Sequence, residues 1–188
     1  MQDKDLIRRA KDGDPQALDQ LVAQFDRYVF GVALLMLNDR AEAQDAAQEA
    51  LLKAIRGLNG YNGKASFRTW LYRVTVNACR DAMRRRARQR EISLEDAPLP
   101  ARDSALQVTL NREHRQTVWQ AVQALDAPLR EVVVLRYYLD LPCAEIGEVT
   151  GAPTNTVYWR LHQARRELEV SLADDMLDTE DAGRGEKE

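Results

Sequence analysis

From Pro15 to Met36 the chain keeps one pattern without a break. Leu18, Leu21, Val22, Phe25, Tyr28, Val29, Val32, Ala33 and Met36 recur three or four residues apart, the stripe of a helix with one face in a core. Asp14 followed by Pro15 is a helix start: the carboxylate can cap free N–H groups, and proline suits the first turn. The same grammar predicts helices elsewhere. A short one fits Asp5 to Lys11, broken by Asp12-Gly13. Asn38-Asp39-Arg40 ends the long helix, and a third fits Ala41 to Leu58 with Ala47, Leu51, Ala54, Ile55 and Leu58 inward. Ser66 can cap a fourth, on which Phe67, Trp70, Leu71, Val74 and Ala78 share a face. Strand alternation is nearly absent, and the expected fold class is all-α.

Pro98 and Pro100 mark the expected boundary between two small helical domains joined by a flexible linker. The predicted divisions are a helical domain over 1–91, an acidic linker over 92–107, a second helical domain over 108–172, and an acidic, disordered tail over 173–188. In the second domain helix resumes around Leu106 to Leu125 and restarts at Asp126-Ala127-Pro128. Cys143 to Thr150 then forms a short helix. Gly151-Ala152-Pro153 turns the chain, and Thr154 or Asn155 caps a last helix to about Leu172.

Charge is distributed unevenly. The whole chain is at −3, yet residues 1–90 carry 17 Lys/Arg against 11 Asp/Glu, a local +6. Arg73 to Arg90 holds seven arginines and one acid, Asp81. A charge run is often a solvated helix face, but like charges at this density repel until a polyanion neutralises them. Nucleic acid fits that role. Asn77, Arg80, Asp81 and Arg84 recur at helical spacing and can offer donors and an acceptor to base edges, with Arg85, Arg86, Arg88 and Arg90 on phosphates. The loop before this helix offers Tyr61, Asn62 and Lys64. It could hold an unstacked base, or be a plain connection.

A second segment of DNA-facing form spans Cys143 to Arg166. Helix, a glycine turn, then a helix beginning Thr154-Asn155-Thr156-Val157 is the helix-turn-helix pattern, which sets the second helix in the major groove. Thr154, Asn155, Thr156, Tyr158, Trp159, Arg160 and Gln163 are the residues in reach of bases.

Other classes find little support. Val29 to Leu37, the longest apolar stretch, is nine residues against the roughly 20 of a membrane span. The N-terminus lacks a signal peptide's basic start and apolar stretch, so a cytoplasmic protein without membrane insertion is expected. Cys79 and Cys143 are far apart, and with only His114 and His162 no metal-ligand spacing arises. No phosphate loop, nucleophile elbow or paired-His motif occurs. The expectation is a non-enzyme with no cofactor and no small-molecule substrate. Two alternatives remain open from the residues: a helix-turn-helix transcriptional regulator, and a helical adaptor that binds protein through its acidic third helix.

Three stretches together resemble the extracytoplasmic-function (ECF) subfamily of sigma-70 family RNA polymerase sigma factors. Asp45-Ala46-Ala47-Gln48-Glu49-Ala50-Leu51 is similar to that family's polymerase-binding helix. Phe67-Arg68-Thr69-Trp70-Leu71-Tyr72-Arg73, with Asn77 and Asp81, is similar to its −10-element segment. Leu129-Arg130-Glu131-Val132-Val133-Val134-Leu135-Arg136, then Glu145-Ile146-Gly147, Thr156-Val157 and Ala164-Arg165, is similar to its −35-binding domain. The resemblance makes the two domains sigma region 2 and sigma region 4. It implies core RNA polymerase as partner, through the β′ clamp helices and the β subunit, with Asp45, Gln48, Glu49, Leu51 and Leu52 at the contact. It also implies promoter DNA and an anti-sigma factor. The −10 element would meet Tyr61, Asn62, Lys64, Asn77, Arg80, Asp81, Arg84 and Arg85. Tyr158 and Trp159 depart from the family, standing where basic and small residues are usual; Gln163 stands where arginine is frequent.

Overall fold

The computed structural model describes residues 2–92 and 112–182. It divides the chain into two compact units, one N-terminal and one C-terminal. All regular structure among the described residues is helical. The linker expected over 92–107 falls almost entirely outside them, as do the first residues of the helix expected from Leu106.

The N-terminal unit holds α1 (Gln2–Lys11), α2 (Pro15–Leu37), α3 (Arg40–Gly57) and α4 (Phe67–Ile92). α2, α3 and α4 pack pairwise and α1 lies on α2. Asp14 is the α2 cap: its Oδ1 accepts from the Gln16 and Ala17 N–H groups at 3.0 and 3.2 Å. Its other oxygen accepts from Arg9 Nε and Nη2 at 2.9 and 2.6 Å, which ties α1 to the start of α2. Asn38 stops α2 in the left-handed region at φ 54°, and Asp39 at once caps α3 through the Glu42 N–H. Ser66 caps α4 as expected, its Oγ accepting from the Thr69 N–H at 3.1 Å.

α2 is 23 residues long and apolar enough to pass for a membrane span by length and composition, which the nine-residue count missed because isolated polar residues interrupt its apolar run. Its apolar stripe is a core stripe: Leu21, Phe25, Val29, Val32, Ala33 and Met36 are buried where α2 packs against three helices. α3 corrects a second expectation. All its buried residues are alanines, Ala43, Ala46, Ala47, Ala50 and Ala54; Leu51 and Ile55 are only half-buried. Side chains this small let the neighbouring helices come close and push the larger ones to the margin of the face.

The C-terminal helices are α5 (Arg112–Ala124), α6 (Ala127–Val133), α7 (Cys143–Thr150) and α8 (Thr154–Ala182). Leu125, Leu129, Val133 and Ala164 form a core joined by Val122 and Leu168. Arg130 Nη2 donates to the carbonyls of Gln123 and Leu125 at 2.7 and 2.9 Å, satisfying acceptors that the end of α5 leaves open. Val134–Tyr138 continues α6 as a π-helical turn. The Leu141 N–H then reaches Leu135 O at 3.1 Å, and Arg136 Nη1 donates to Leu141 O at 2.9 Å.

Two expectations for α8 change. Its first turn is closed by the Pro153 carbonyl, which accepts from the Thr156 and Val157 N–H groups at 2.9 and 3.1 Å. Thr154 and Asn155 are therefore inside the helix, not caps. The helix also runs ten residues past Leu172, through the stretch read as disordered tail. No glycine or proline interrupts it before Gly183; residues 183–188 lie outside the described part.

Candidate nucleic-acid and polymerase interfaces

On α3 the residues read as polymerase-binding separate by helical phase. Asp45, Gln48 and Leu52 are exposed and share one stripe with Arg56, which the sequence pattern did not single out. Leu52, 45% exposed, is a large apolar side chain left to solvent there. Leu51 turns to the other side and lines a shallow apolar recess with Leu18, Val22, Ile55, Phe67 and Leu71.

Glu49 points the opposite way, toward α4. It pairs with Lys53 at 2.8 Å and with Arg85 at 3.1 Å. Lys53 reaches on to Asp81 at 3.4 Å, and Asp81 holds Arg84 at 2.5 Å. Residues read as two separate sites, Glu49 on one and Asp81, Arg84 and Arg85 on the other, thus form one ionic chain across α3 and α4. The bond from Lys53, helped by Arg85, holds the Glu49 carboxyl below its ordinary range. Arg84, then Lys53, does the same for Asp81. The arginine run consequently carries some of its own counter-charge, and each such exposed pair is weak enough to yield to a phosphate.

Arg86 has partners of another kind. Expected on phosphates, it is turned back onto the bundle, where Nη1 donates to Leu37 O at 3.4 Å and Glu42 Oε2 at 3.2 Å. Asn77 is exposed and Arg80 half-buried on α4. Arg90 is in α4, and its side chain is outside the described set.

The loop before α4 is a built turn. Tyr61 packs against Phe67 and Trp70 at ring separations of 5.6 and 5.4 Å. Its hydroxyl donates to Ala65 O at 2.7 Å, and its own carbonyl accepts from Lys11 Nζ at 2.5 Å. Tyr61 therefore anchors the loop from within. Asn62 Oδ1 accepts from the Lys64 N–H at 3.1 Å around Gly63, whose φ of +75° needs a residue without Cβ. That geometry leaves the Asn62 and Lys64 side chains exposed at the tip.

The turn between α7 and α8 depends on two glycines. Gly151 has φ +73°, and a Cβ on Gly147 would stand 2.9 Å from the Ala152 carbonyl oxygen. Val157, Leu161 and Ala164 bury one side of α8. Its opposite arc, about 140° wide at 3.6 residues per turn, exposes Thr154, Asn155, Tyr158 and Trp159 in the first two turns, then His162, Arg165 and Arg166. Thr156, Arg160 and Gln163 lie on the flank, partly buried, and Gln163 Nε2 donates to Glu167 at 3.0 Å. His162, Arg165 and Arg166 stand outside the residues read as in reach of bases; carrying the helical phase from Thr154 and Tyr158 adds them to the arc. Among the described residues no three His, Cys, Asp or Glu side chains converge as metal ligands.

A basic helix on one helical unit and a helix-turn-helix on the other define a two-domain protein of promoter-binding type. The Sigma-70 region 2 model matches residues 21–89 and the Sigma-70 region 4 model residues 115–168. The RNA polymerase sigma-H factor of Pseudomonas aeruginosa is 34% identical, covering 91% of this chain and 94% of the relative. The ECF RNA polymerase sigma factor SigW of Bacillus subtilis is 29% identical over 91% of this chain and 97% of its own length. Of solved structures, CnrH in complex with the cytosolic domain of CnrY shares 25% identity at a TM-score of 0.69, covering 92% of this chain and 98% of that one. The sigma factor RpoE, in complex with the anti-sigma factor NepR from Bartonella quintana, shares the fold at 21% identity and a TM-score of 0.71, covering 82% of this chain and 96% of that one. The chain belongs to the ECF subfamily of sigma-70 family RNA polymerase sigma factors.

Proposed function

We propose that this sigma factor joins core RNA polymerase through the exposed stripe of α3, Asp45, Gln48 and Leu52, with Leu51 beside it in the apolar recess. In that assembly α4 and its preceding loop meet the −10 element, and α8 meets the −35 element. The observation that carries the reading is the division of labour by helical phase. α3 leaves Asp45, Gln48, Leu52 and Arg56, a mixed polar and apolar stripe, to solvent, while its other acids reach across to the α4 arginines. Asn62 and Lys64 stand exposed at the loop tip, suited to a base displaced from the duplex; Tyr61 supports the loop. An anti-sigma factor is proposed as the second protein partner. A cytoplasmic setting follows from work on core polymerase.

The test is run-off transcription on fragmented genomic DNA of the source organism, using bacterial core polymerase with and without the protein. Discrete new starts that share two spaced upstream blocks are expected, and Asp45→Ala with Gln48→Ala should abolish them without unfolding the protein. Absence of new starts from folded protein that binds core would remove the reading. Full activity of the double variant would remove only the α3 assignment.

A further inference from the structure

The exposed arc of α8 carries an aromatic pair in its second turn. Tyr158 and Trp159 are 59% and 63% exposed, adjacent, and on the arc that the fold turns away from its core. Val157 and Leu161, at 0% and 4% exposure, lock the opposite side, so the helix cannot roll to bury the aromatics. No charged residue lies on this arc before Arg165; Arg160 is on the flank.

The N-terminal turns of a recognition helix meet base edges. Arginine there would pair with guanine O6 and N7. A phenol or an indole has one donor, not the two-pronged fork that pairs with both atoms, and offers mainly apolar ring surface. The apolar group that B-DNA offers in the major groove is the thymine C5 methyl. We infer that Tyr158 and Trp159 are specificity-determining residues that read thymine methyl groups at adjacent steps of the upstream promoter block. The inference rests on the sigma-factor reading and specifies its −35 chemistry: methyl contact in place of guanine recognition. Burying one methyl corresponds to about fourfold in binding.

The experiment uses holoenzyme, the full chain on core polymerase. The promoter is one found by genomic run-off, with its upstream block randomised and its other elements fixed. Wild type should enrich thymine at one or two adjacent positions. Trp159→Ala should lose that preference there and keep the others; Trp159→Phe should retain it. At the enriched positions, deoxyuridine in place of thymidine should lower initiation about fourfold for wild type and leave Trp159→Ala unchanged. Insensitivity of wild type to deoxyuridine would overturn the inference and leave the sigma reading standing. So would a Trp159→Ala effect equal on all sequences, which would mark the aromatic pair as a protein contact or a support of the fold. Absence of any discrete start with wild-type holoenzyme would bring down the sigma reading itself, and this inference with it.

Discussion

Arg86 shows how one side chain in a charge run can act apart from the run. It donates to the last carbonyl of α2 and to Glu42 at 3.2 Å, placing a cation at a helix C-terminus, where the dipole favours it by about 0.3–1 kcal/mol. Arg86→Ala should therefore lower the melting temperature of the N-terminal unit by a few degrees. Arg88→Ala, at an exposed position, should leave melting unchanged and weaken promoter binding. Differential scanning calorimetry beside a filter-binding assay separates the two; equal melting of both variants would contradict the Arg86 role. Asp14 belongs to the same scale. Its carboxyl is held below its ordinary 3.8, first by the bond from Arg9 and then by the Ala17 and Gln16 N–H groups. A folded-state value below the unfolded one means stability that is present above 3.8 and is lost as pH falls from there through the depressed value. Wild type should melt above Asp14→Ala at neutral pH, and the gap should narrow as pH falls below 3.8. A gap that stayed constant with pH would mean that the ionised carboxylate is not what caps α2.

At the scale of elements, the helix-turn-helix depends on backbone approach as much as on side chains. Gly147 lies where a Cβ would meet Ala152 O at 2.9 Å, and a backbone atom cannot swing aside as a side-chain tip does. Gly147→Ala should force α7 and α8 apart, costing about 1–3 kcal/mol as overpacking does. It should reduce transcription from promoters with an upstream block far more than core binding. Run-off assays on templates with and without that block, beside a core-binding titration, check this; equal loss on both templates would refute it. The π-helical turn at Val134–Tyr138 is also an element-scale feature. It widens the helix where Arg136 and the Leu141 N–H fasten the following loop. Those bonds join residues five and six apart through a turn, so no helical periodicity in the sequence announces them. By contrast, the starts at Asp14 and Ser66 were legible, because a cap is made by a residue and the next three N–H groups. The α3 face was half legible. Spacing placed Ala47 and Ala54 inward, but hydrophobicity favoured Leu51 and Ile55 over Ala43 and Ala50, and only close helix packing prefers the smaller side chains.

Across the whole molecule, the arginine run and the helix-turn-helix were plain in the sequence, whereas the distribution of charge between them and their partners was not. Glu49 meets Arg85 across 36 residues and Glu42 meets Arg86 across 44, and spacing rules reach only three or four. These pairs divide the cations into groups with different duties. Arg84 and Arg85, exposed and paired by weak surface bridges, can exchange a carboxylate for a phosphate; Trp159 carries no charge to exchange. Salt dependence of promoter binding by holoenzyme should sort them. Removing one cation from a phosphate should lower the slope of log affinity against log salt by about 0.9. Arg84→Gln and Arg85→Gln should each flatten the slope by about that amount on every promoter. Glu49→Gln should strengthen binding at low salt, since it frees Arg85 from a competing carboxylate. Trp159→Ala should weaken binding to sequences with thymine at the contacted steps while keeping the wild-type slope. Titrations of promoter fragments over a range of potassium chloride read all four variants together. An unchanged slope for both arginine variants would mean that their carboxylate partners keep them from DNA, and that α4 contacts the −10 region through Asn77 and Arg80 without them.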